Sequence, residues 1–530
     1  MEITVKQKSK NKFGQYFTPE MVADFMIDLA DVQLDSSILE PSCGEGIFLK
    51  LLYKRGFKNI TAYEIDESLA TDYQCVKYQS FIQTDTFEKY DLIIGNPPYI
   101  RWANLESELK DELLYNVLWN KYFNSLCDYL YIFILKSVEQ LNDNGQLIFI
   151  CPEYWLNTTH SVTLRNYMVS KGYFEEIYHF NETPIFDKVT ISTIVFKFVK
   201  STKRKATIEV SKFYANQKLT IRTLTKLKNK EQLPDAEHFA VSQFQMNERW
   251  LLATDDLKEE LKVLEIKCEN KKLVQKLSLF DNSEILNYHT IGDFCDIGNG
   301  LVSGLDKAFQ VNENLLNEKE KQAILKVVKA KDLKPFYHEN ITNYLFVNDL
   351  KTEEIFSSNY PNFFEHLQPF KEDLGKRYQY NRKINYWEWV FLRNFNLFSK
   401  PDQRIFVPCK ERISNKNHFR FALAEGGIFP TQDVTAIFRK EKTKESIEYI
   451  LAILNNFRVF DWLKCNGIVK GNIVEFSEKP ISSIPFRAIN WNDQNEVNLH
   501  NKITDLTKQY LNRKDDNILV EINQTLNNLF

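Results

Sequence analysis

The residues with the most chemistry in them are Asp91-Leu92-Ile93-Ile94-Gly95-Asn96-Pro97-Pro98-Tyr99. An apolar run of strand type ends in a turn whose two prolines have no N–H to donate and stiffen the backbone. The Asn96 side chain and the Pro97 carbonyl are thereby free to aim acceptors at one place. A planar NH2 group brings two donors to such a place, and Tyr99 supplies a flat face for stacking. A Pro-Pro turn after a strand would account for these four residues alone. It does not account for what precedes them. Glu40-Pro41-Ser42-Cys43-Gly44-Glu45-Gly46 is a turn of the kind that lets backbone approach a ligand, with the unpaired N–H groups of a helix start behind it. Eighteen residues after Gly46 stands Glu64 in Tyr63-Glu64-Ile65-Asp66, where an acid accepts both hydroxyls of a ribose. Asp85 closes the next candidate strand.

These residues need a scaffold that brings strand ends together. From residue 36 to about 200, short apolar runs alternate with helical patterns, the signature of a parallel sheet covered by helices. The pattern predicts strands at 37–40, 60–64, 81–84, 91–95, 146–151, 175–180 and 190–198, the last two forming an antiparallel pair at one sheet edge. The expected fold is therefore α/β, a Rossmann-like, seven-stranded, mostly parallel sheet with helices on both faces. Ahead of it, Thr18-Pro19-Glu20 reads as an N-cap followed by proline at the first helical position, with Val22, Phe25, Met26 and Leu29 at helical spacing. Residues 201–285 carry the charged segments Lys203-Arg204-Lys205 and 226–230 and a charged helical stretch at 250–276, and read as a linker or small subdomain. Residues 286–530 mix turn, helix and strand signals with many aromatics, and end in a helical pattern at 503–529; this is a mixed α+β domain.

Asn96-Pro97-Pro98-Tyr99 resembles the catalytic motif of amino-group methyltransferases that use S-adenosylmethionine, and residues 40–46 resemble their cofactor loop. Gly14-Gln15-Tyr16-Phe17-Thr18-Pro19 is similar to the N-terminal motif of the γ class of DNA adenine-N6 methyltransferases, and the order of motifs is the γ order. Phe186, in Pro184-Ile185-Phe186-Asp187, resembles the family aromatic that packs on the extruded adenine. The resemblance covers residues 10–200 and implies Asn96, Pro97 and Tyr99 as catalytic residues, with Tyr99 and Phe186 stacking the target base. It implies a cofactor site of Tyr16, Thr18, Glu40, Ser42, Gly44, Glu64, Asp85 and Asn96, in which Thr18 holds the methionine end, Glu64 the ribose and Asp85 the adenine amino group. The N6 lone pair of adenine is delocalised into the ring, so acceptors that hold the amino group and favour a tetrahedral nitrogen turn it toward the sulfonium methyl. A duplex hides N6, so the base must be flipped out at a cost of a few kcal/mol.

The same four-residue motif occurs in enzymes that methylate release-factor glutamine or ribosomal-RNA guanine. Release-factor enzymes end soon after the catalytic sheet, whereas roughly 300 residues follow it here. A partner-dependent subunit of a restriction or phage-defence complex is a further alternative, which the intact motif leaves open.

Charge sharpens the choice of partner. The chain of 530 residues carries 68 Lys+Arg and 71 Asp+Glu, a formal charge of −3, so whole-surface attraction to a polyanion is excluded. The charge is segregated, however. Residues 1–200 hold 19 basic and 27 acidic residues, a net of −8, while residues 371–420 hold twelve basic and five acidic, a net of +7, interleaved with Tyr378, Tyr380, Tyr386, Trp387, Trp389 and Phe391. Basic groups grip phosphates while planar groups read bases. Arg377, Arg382, Lys383, Arg393, Lys410 and Arg412 are therefore the expected DNA-binding residues, in a stretch similar to the target-recognition domain of TaqI-type enzymes. Double-stranded DNA is the expected partner, with a cognate restriction endonuclease or defence-system subunits as the protein partners such a system would add. Eight scattered cysteines without a C-x-x-C pair suggest neither a zinc site nor a disulfide framework, and fit a reducing cytoplasm. No apolar run reaches the ~18 residues of a membrane span.

Overall fold

The computed structural model describes residues 16–530 except 70, 85–86, 182, 187–190, 215–218, 270–287, 349, 378–382, 414–415 and 471–472. The chain forms two compact units, residues 1–256 and 257–530.

Among the described residues the first unit is built on one sheet of nine strands: β1 (Ile38–Glu40), β2 (Ile60–Glu64), β3 (Val76–Tyr78), β4 (Tyr90–Gly95), β5 (Leu141–Pro152), β6 (Gly172–His179), β7 (Thr193–Lys200), β8 (Thr207–Phe213) and β9 (Ala236–Ser242). Their order is β3-β2-β1-β4-β5-β7-β6-β8-β9. Neighbours from β3 to β5 run parallel. β7 is antiparallel to both β5 and β6, β8 is parallel to β6, and β9 returns antiparallel. The central strands are apolar at successive positions because helices cover both faces, the usual pattern of parallel sheets. Along β5, Leu147 and Phe149 enter one core with Leu130, Ile134 and Leu135. Ile148 and Ile150 enter the other with Val22 and Met26 of α1 (Glu20–Ile27) and Phe48 and Leu52 of α2 (Ile47–Lys54). Chain order reverses between β1 and β4, and the crevice beyond the carboxyl ends at such a switch point is where open α/β sheets bind ligands.

Four expectations are corrected. The sheet has nine strands, because residues 207–213 and 236–242 extend it, so the segment read as a linker belongs to the first unit as far as residue 256. The β6–β7 pair is antiparallel as expected but lies inside the sheet, since β8 covers the far side of β6. The third strand is Val76–Tyr78, and Phe81–Gln83 is a turn of 3-10 helix. A short strand at the sheet edge, alternating with an exposed lysine, leaves no continuous apolar run to read. Finally, Pro19 itself stands at the N-cap of α1, in extended conformation and without a side-chain cap, so Thr18 does not cap the helix.

The second unit is mixed α+β. It holds an antiparallel four-stranded sheet formed by Cys295–Asn299, Val434–Arg439, Arg404–Pro408 and Ala422–Ala424, and two three-stranded sheets. The pattern at 503–529 becomes two helices, Gln494–Arg513 and Asp516–Asn527. No helix among the described residues is long and apolar enough to cross a membrane.

Candidate active site

A cavity of about 170 Å3 opens at the β1/β4 switch point. One wall is the turn after β1. Gly44 (φ 52°) and Gly46 (φ 78°) occupy the left-handed region, and a Cβ on Gly46 would stand 3.2 Å from the Tyr73 ring, so this path needs glycine. The loop is tied to β2 by its own backbone: Gly44 N–H donates to Glu64 Oε2 at 2.7 Å, and Asp66 N–H donates to Oε1 at 2.8 Å.

Both carboxylates of this wall are perturbed. Burial pushes the Glu64 carboxyl above its ordinary range, and the N–H groups of Asp66, Gly44 and Ile65 pull it part of the way back. Glu40, 1% exposed, is raised further by burial and then by repulsion from Glu64. Its Oε2 has no hydrogen-bond partner. Because the folded-state value lies above the unfolded one, this group favours folding at low pH and loses that contribution as pH rises through the raised value. Glu40→Gln should therefore raise the melting temperature of the ligand-free protein at pH 8 by about 2–4 °C, with the gain vanishing toward pH 4. A scan showing no gain at pH 8 would mean that Glu40 ionises without cost.

A further set of lining residues, apolar for the most part, was largely missed in the sequence. Ser80 and Phe81 line the cavity with Gln79, Ile65, Leu109 and Phe133. The Ser80 hydroxyl donates to the buried Glu112 carboxylate. Lys136, only 6% exposed, donates from Nζ to the carbonyls of Phe81 (2.6 Å), Ile82 (2.9 Å) and Thr84 (2.5 Å), and lies over the Phe81 ring. A buried ammonium thus fixes the turn that carries Phe81. The available signal was Ser80-Phe81 itself, hidden by reading 81–84 as a strand. Asp85, assigned to this position from the sequence, lies outside the described residues.

At the mouth, Tyr16, Thr18 and Asn96 line the cavity with Glu40, Ser42 and Gly44. The Ser42 hydroxyl donates to the Asn96 carbonyl at 3.2 Å, and Asn96 Nδ2 donates to the Tyr16 carbonyl at 2.6 Å. Asn96 Oδ1 and the Tyr99 hydroxyl are buried without a hydrogen-bond partner. Burial, and then Tyr16, push the Tyr99 hydroxyl well above its ordinary range, so it remains protonated. Tyr99 stacks on Tyr16 (centroids 4.8 Å, planes 6° apart), and Tyr16 also meets Phe186 (5.8 Å, 51°). Pro97 and Phe186 are buried. The sequence-assigned residues of the first unit that are described, Tyr16, Thr18, Glu40, Ser42, Gly44, Glu64, Asn96, Pro97, Tyr99 and Phe186, therefore gather at one end of the sheet.

The basic stretch of the second unit divides. Lys383, Lys410 and Arg412 are exposed. Arg393 is half-buried and donates to the Gly300 carbonyl at 2.7 Å. Arg377 is half-buried and bound to four backbone carbonyls, so it serves the fold, which corrects its assignment as a free DNA-facing cation. Arg382, together with Tyr378 and Tyr380, lies outside the described residues.

A family model described as Eco57I restriction-modification methylase matches residues 45–186, and one described as N-6 DNA Methylase matches residues 3–61. Over 523 residues the chain is 45% identical to the type II methyltransferase M.HindII of Haemophilus influenzae, covering 99% of this chain and 98% of that protein. M.HincII, also from Haemophilus influenzae, is 42% identical with the same coverage. The chain belongs to the type II methyltransferase family of restriction-modification DNA methylases. Among solved structures, the type IIL restriction-modification enzyme MmeI in complex with DNA shares the fold, with a TM-score of 0.60 at 12% identity over 96% of this chain and 71% of that one.

Proposed function

We propose that this DNA methyltransferase modifies the N6 position of an adenine extruded from duplex DNA, with S-adenosylmethionine as methyl donor. The observation that carries the reading is the buried, unpartnered Oδ1 of Asn96 beside Tyr99 at the cavity mouth. A buried acceptor without a donor costs free energy, and an amino group delivered by the substrate removes that cost. Tyr99 supplies the stacking face, and Pro97, which has no N–H, presents only an acceptor.

The cavity suits the cofactor chemically: carboxylates at Glu40 and Glu64 for a cationic, hydroxyl-bearing ligand, and the Ile65, Phe81 and Phe133 side chains for a planar ring. Glu64 would hold the ribose, Phe81 and Ile65 the adenine ring with Asp85 as the proposed reader of its amino group, and Thr18, Glu40, Ser42 and Gly44 the methionine end. When bound, S-adenosylmethionine supplies an electrophilic methyl group. Asn96 and Pro97 orient the target nitrogen, and the stacked aromatics keep water from it. Within the second unit, residues 286–530 are proposed to read the DNA sequence, with the exposed Lys383, Lys410 and Arg412 gripping phosphate. The role in restriction-modification implies a cognate endonuclease as partner.

Incubation of the full chain with radiolabelled cofactor and duplex DNA, followed by nucleoside analysis, should yield N6-methyladenine from DNA alone. Label in ribosomal RNA or release factor with none in DNA would overturn the reading.

A further inference from the structure

Tyr16 was assigned to the cofactor from the sequence and lines the cavity, yet its ring packs on two other aromatic side chains. It stacks face to face on Tyr99 at 4.8 Å, with planes only 6° apart, and its other neighbour is Phe186 at 5.8 Å. Those two side chains are the ones that the family resemblance gives to the target adenine. A stacked base is about 3.4 Å thick, so two rings that sandwich one stand about 7 Å apart. At 4.8 Å there is no layer for a base between Tyr16 and Tyr99.

We propose that Tyr16 is a positioning residue of the target-base slot: its ring occupies the stacking place on Tyr99 until an extruded adenine takes that place. The inference rests on the adenine reading above and adds a competitor to it. The same residue prepares the slot through its backbone. The Tyr16 carbonyl can only accept, so its bond from Asn96 Nδ2 selects the amide orientation that leaves Oδ1 over for the incoming amino group. The ring meanwhile covers the apolar face of Tyr99 that would otherwise meet water. The backbone role survives any side-chain substitution, so variants at this position isolate the role of the ring.

The test uses the full-length protein and a duplex carrying 2-aminopurine at the adenine that long-read sequencing shows to be modified. An aromatic pair contributes about 0.5–1.5 kcal/mol beyond burial, so removing the competing ring in Tyr16→Ala should tighten duplex binding about two- to tenfold. The 2-aminopurine fluorescence should rise at correspondingly lower protein concentration. Tyr16→Leu, which fills volume without a ring, should behave like the alanine variant, and Tyr16→Phe should return the affinity to the parent value. The dissociation constant for cofactor should move less than twofold in all three. Unchanged or weaker duplex binding in the alanine and leucine variants overturns the proposal, as does a loss of cofactor affinity, which would return Tyr16 to the cofactor site. A parent enzyme that methylates DNA without any 2-aminopurine signal rejects the slot as well. A parent that leaves adenine unmodified locates the failure in the adenine reading.

Discussion

Asn96→Ala should lower the single-turnover rate of methyl transfer at saturating DNA and cofactor by at least ~10²–10³-fold, the range seen when one preorganised hydrogen-bonding group is removed from a catalytic site. The substitution deletes Oδ1, the side-chain carbonyl acceptor of the Asn96–Tyr99 turn and a buried atom with no hydrogen-bond partner of its own. It also deletes Nδ2, and with it the 2.6 Å bond to the Tyr16 carbonyl. The tie from Ser42 runs to the Asn96 main-chain carbonyl and survives. So do the bonds from Gly44 and Asp66 to Glu64 on the far wall. Cofactor affinity, followed by equilibrium dialysis, should therefore stay within about threefold, a change of less than 1 kcal/mol. A collapse of cofactor binding with a retained rate at saturation would place Asn96 in the cofactor site and out of the chemistry.

The sequence disclosed the site best where chemistry demands unusual residues in a fixed order. Gly44, Gly46 and the Pro97-Pro98 pair mark turns that few other residues can make, and each fell at a strand end as expected. β4 announced itself through the buried apolar run Leu92-Ile93-Ile94. The ring that Phe81 adds to the cavity was hidden because a short apolar run has no period that separates a 3-10 turn from a strand. What holds that turn is Lys136, 55 residues away in sequence from Phe81, and no local pattern reports such a bond. β8 and β9 escaped for a related reason. Both alternate with polar residues, as strands toward the end of a sheet do, and the charged segments around them resembled a linker. In the basic stretch the sequence supplied the number of cations but not their surroundings. Glu411 shows the limit: it points inward at 3% exposure and accepts from Lys416 at 2.6 Å and Arg420 at 2.7 Å, so two of the twelve cations neutralise a buried acid.

Arg377→Ala and the triple substitution Lys383→Ala, Lys410→Ala, Arg412→Ala should have opposite signatures, although the sequence groups all four residues together. The Arg377 guanidinium donates to the carbonyls of Ser303 (2.7 Å), Asn385 (3.0 Å), Tyr386 (3.3 Å) and Glu388 (2.5 Å). Its stem runs past Gly304, where a Cβ would come within 2.8 Å of it. Burial lowers the guanidinium pKa to about 10, with Glu388 offsetting part of the shift, so it stays charged at neutral pH. Removing it leaves those carbonyls without their donor, at a cost of about 3 kcal/mol, or a melting temperature lower by about 6–10 °C for a unit of this size. Lys410 and Arg412 sit two residues apart on one strand, so both point to the face opposite the buried Glu411, and Lys383 is likewise exposed. Deleting these three should leave the melting temperature within about 1 °C, since surface substitutions of this kind change stability little. If each neutralises one phosphate, the slope of log affinity for duplex DNA against log salt should fall in magnitude by about 2.7. Calorimetry and salt titrations on the two proteins separate the outcomes. A triple variant with the parent salt slope would remove this face from the DNA interface, whereas an Arg377→Ala protein with parent stability and a shallower slope would return Arg377 to it.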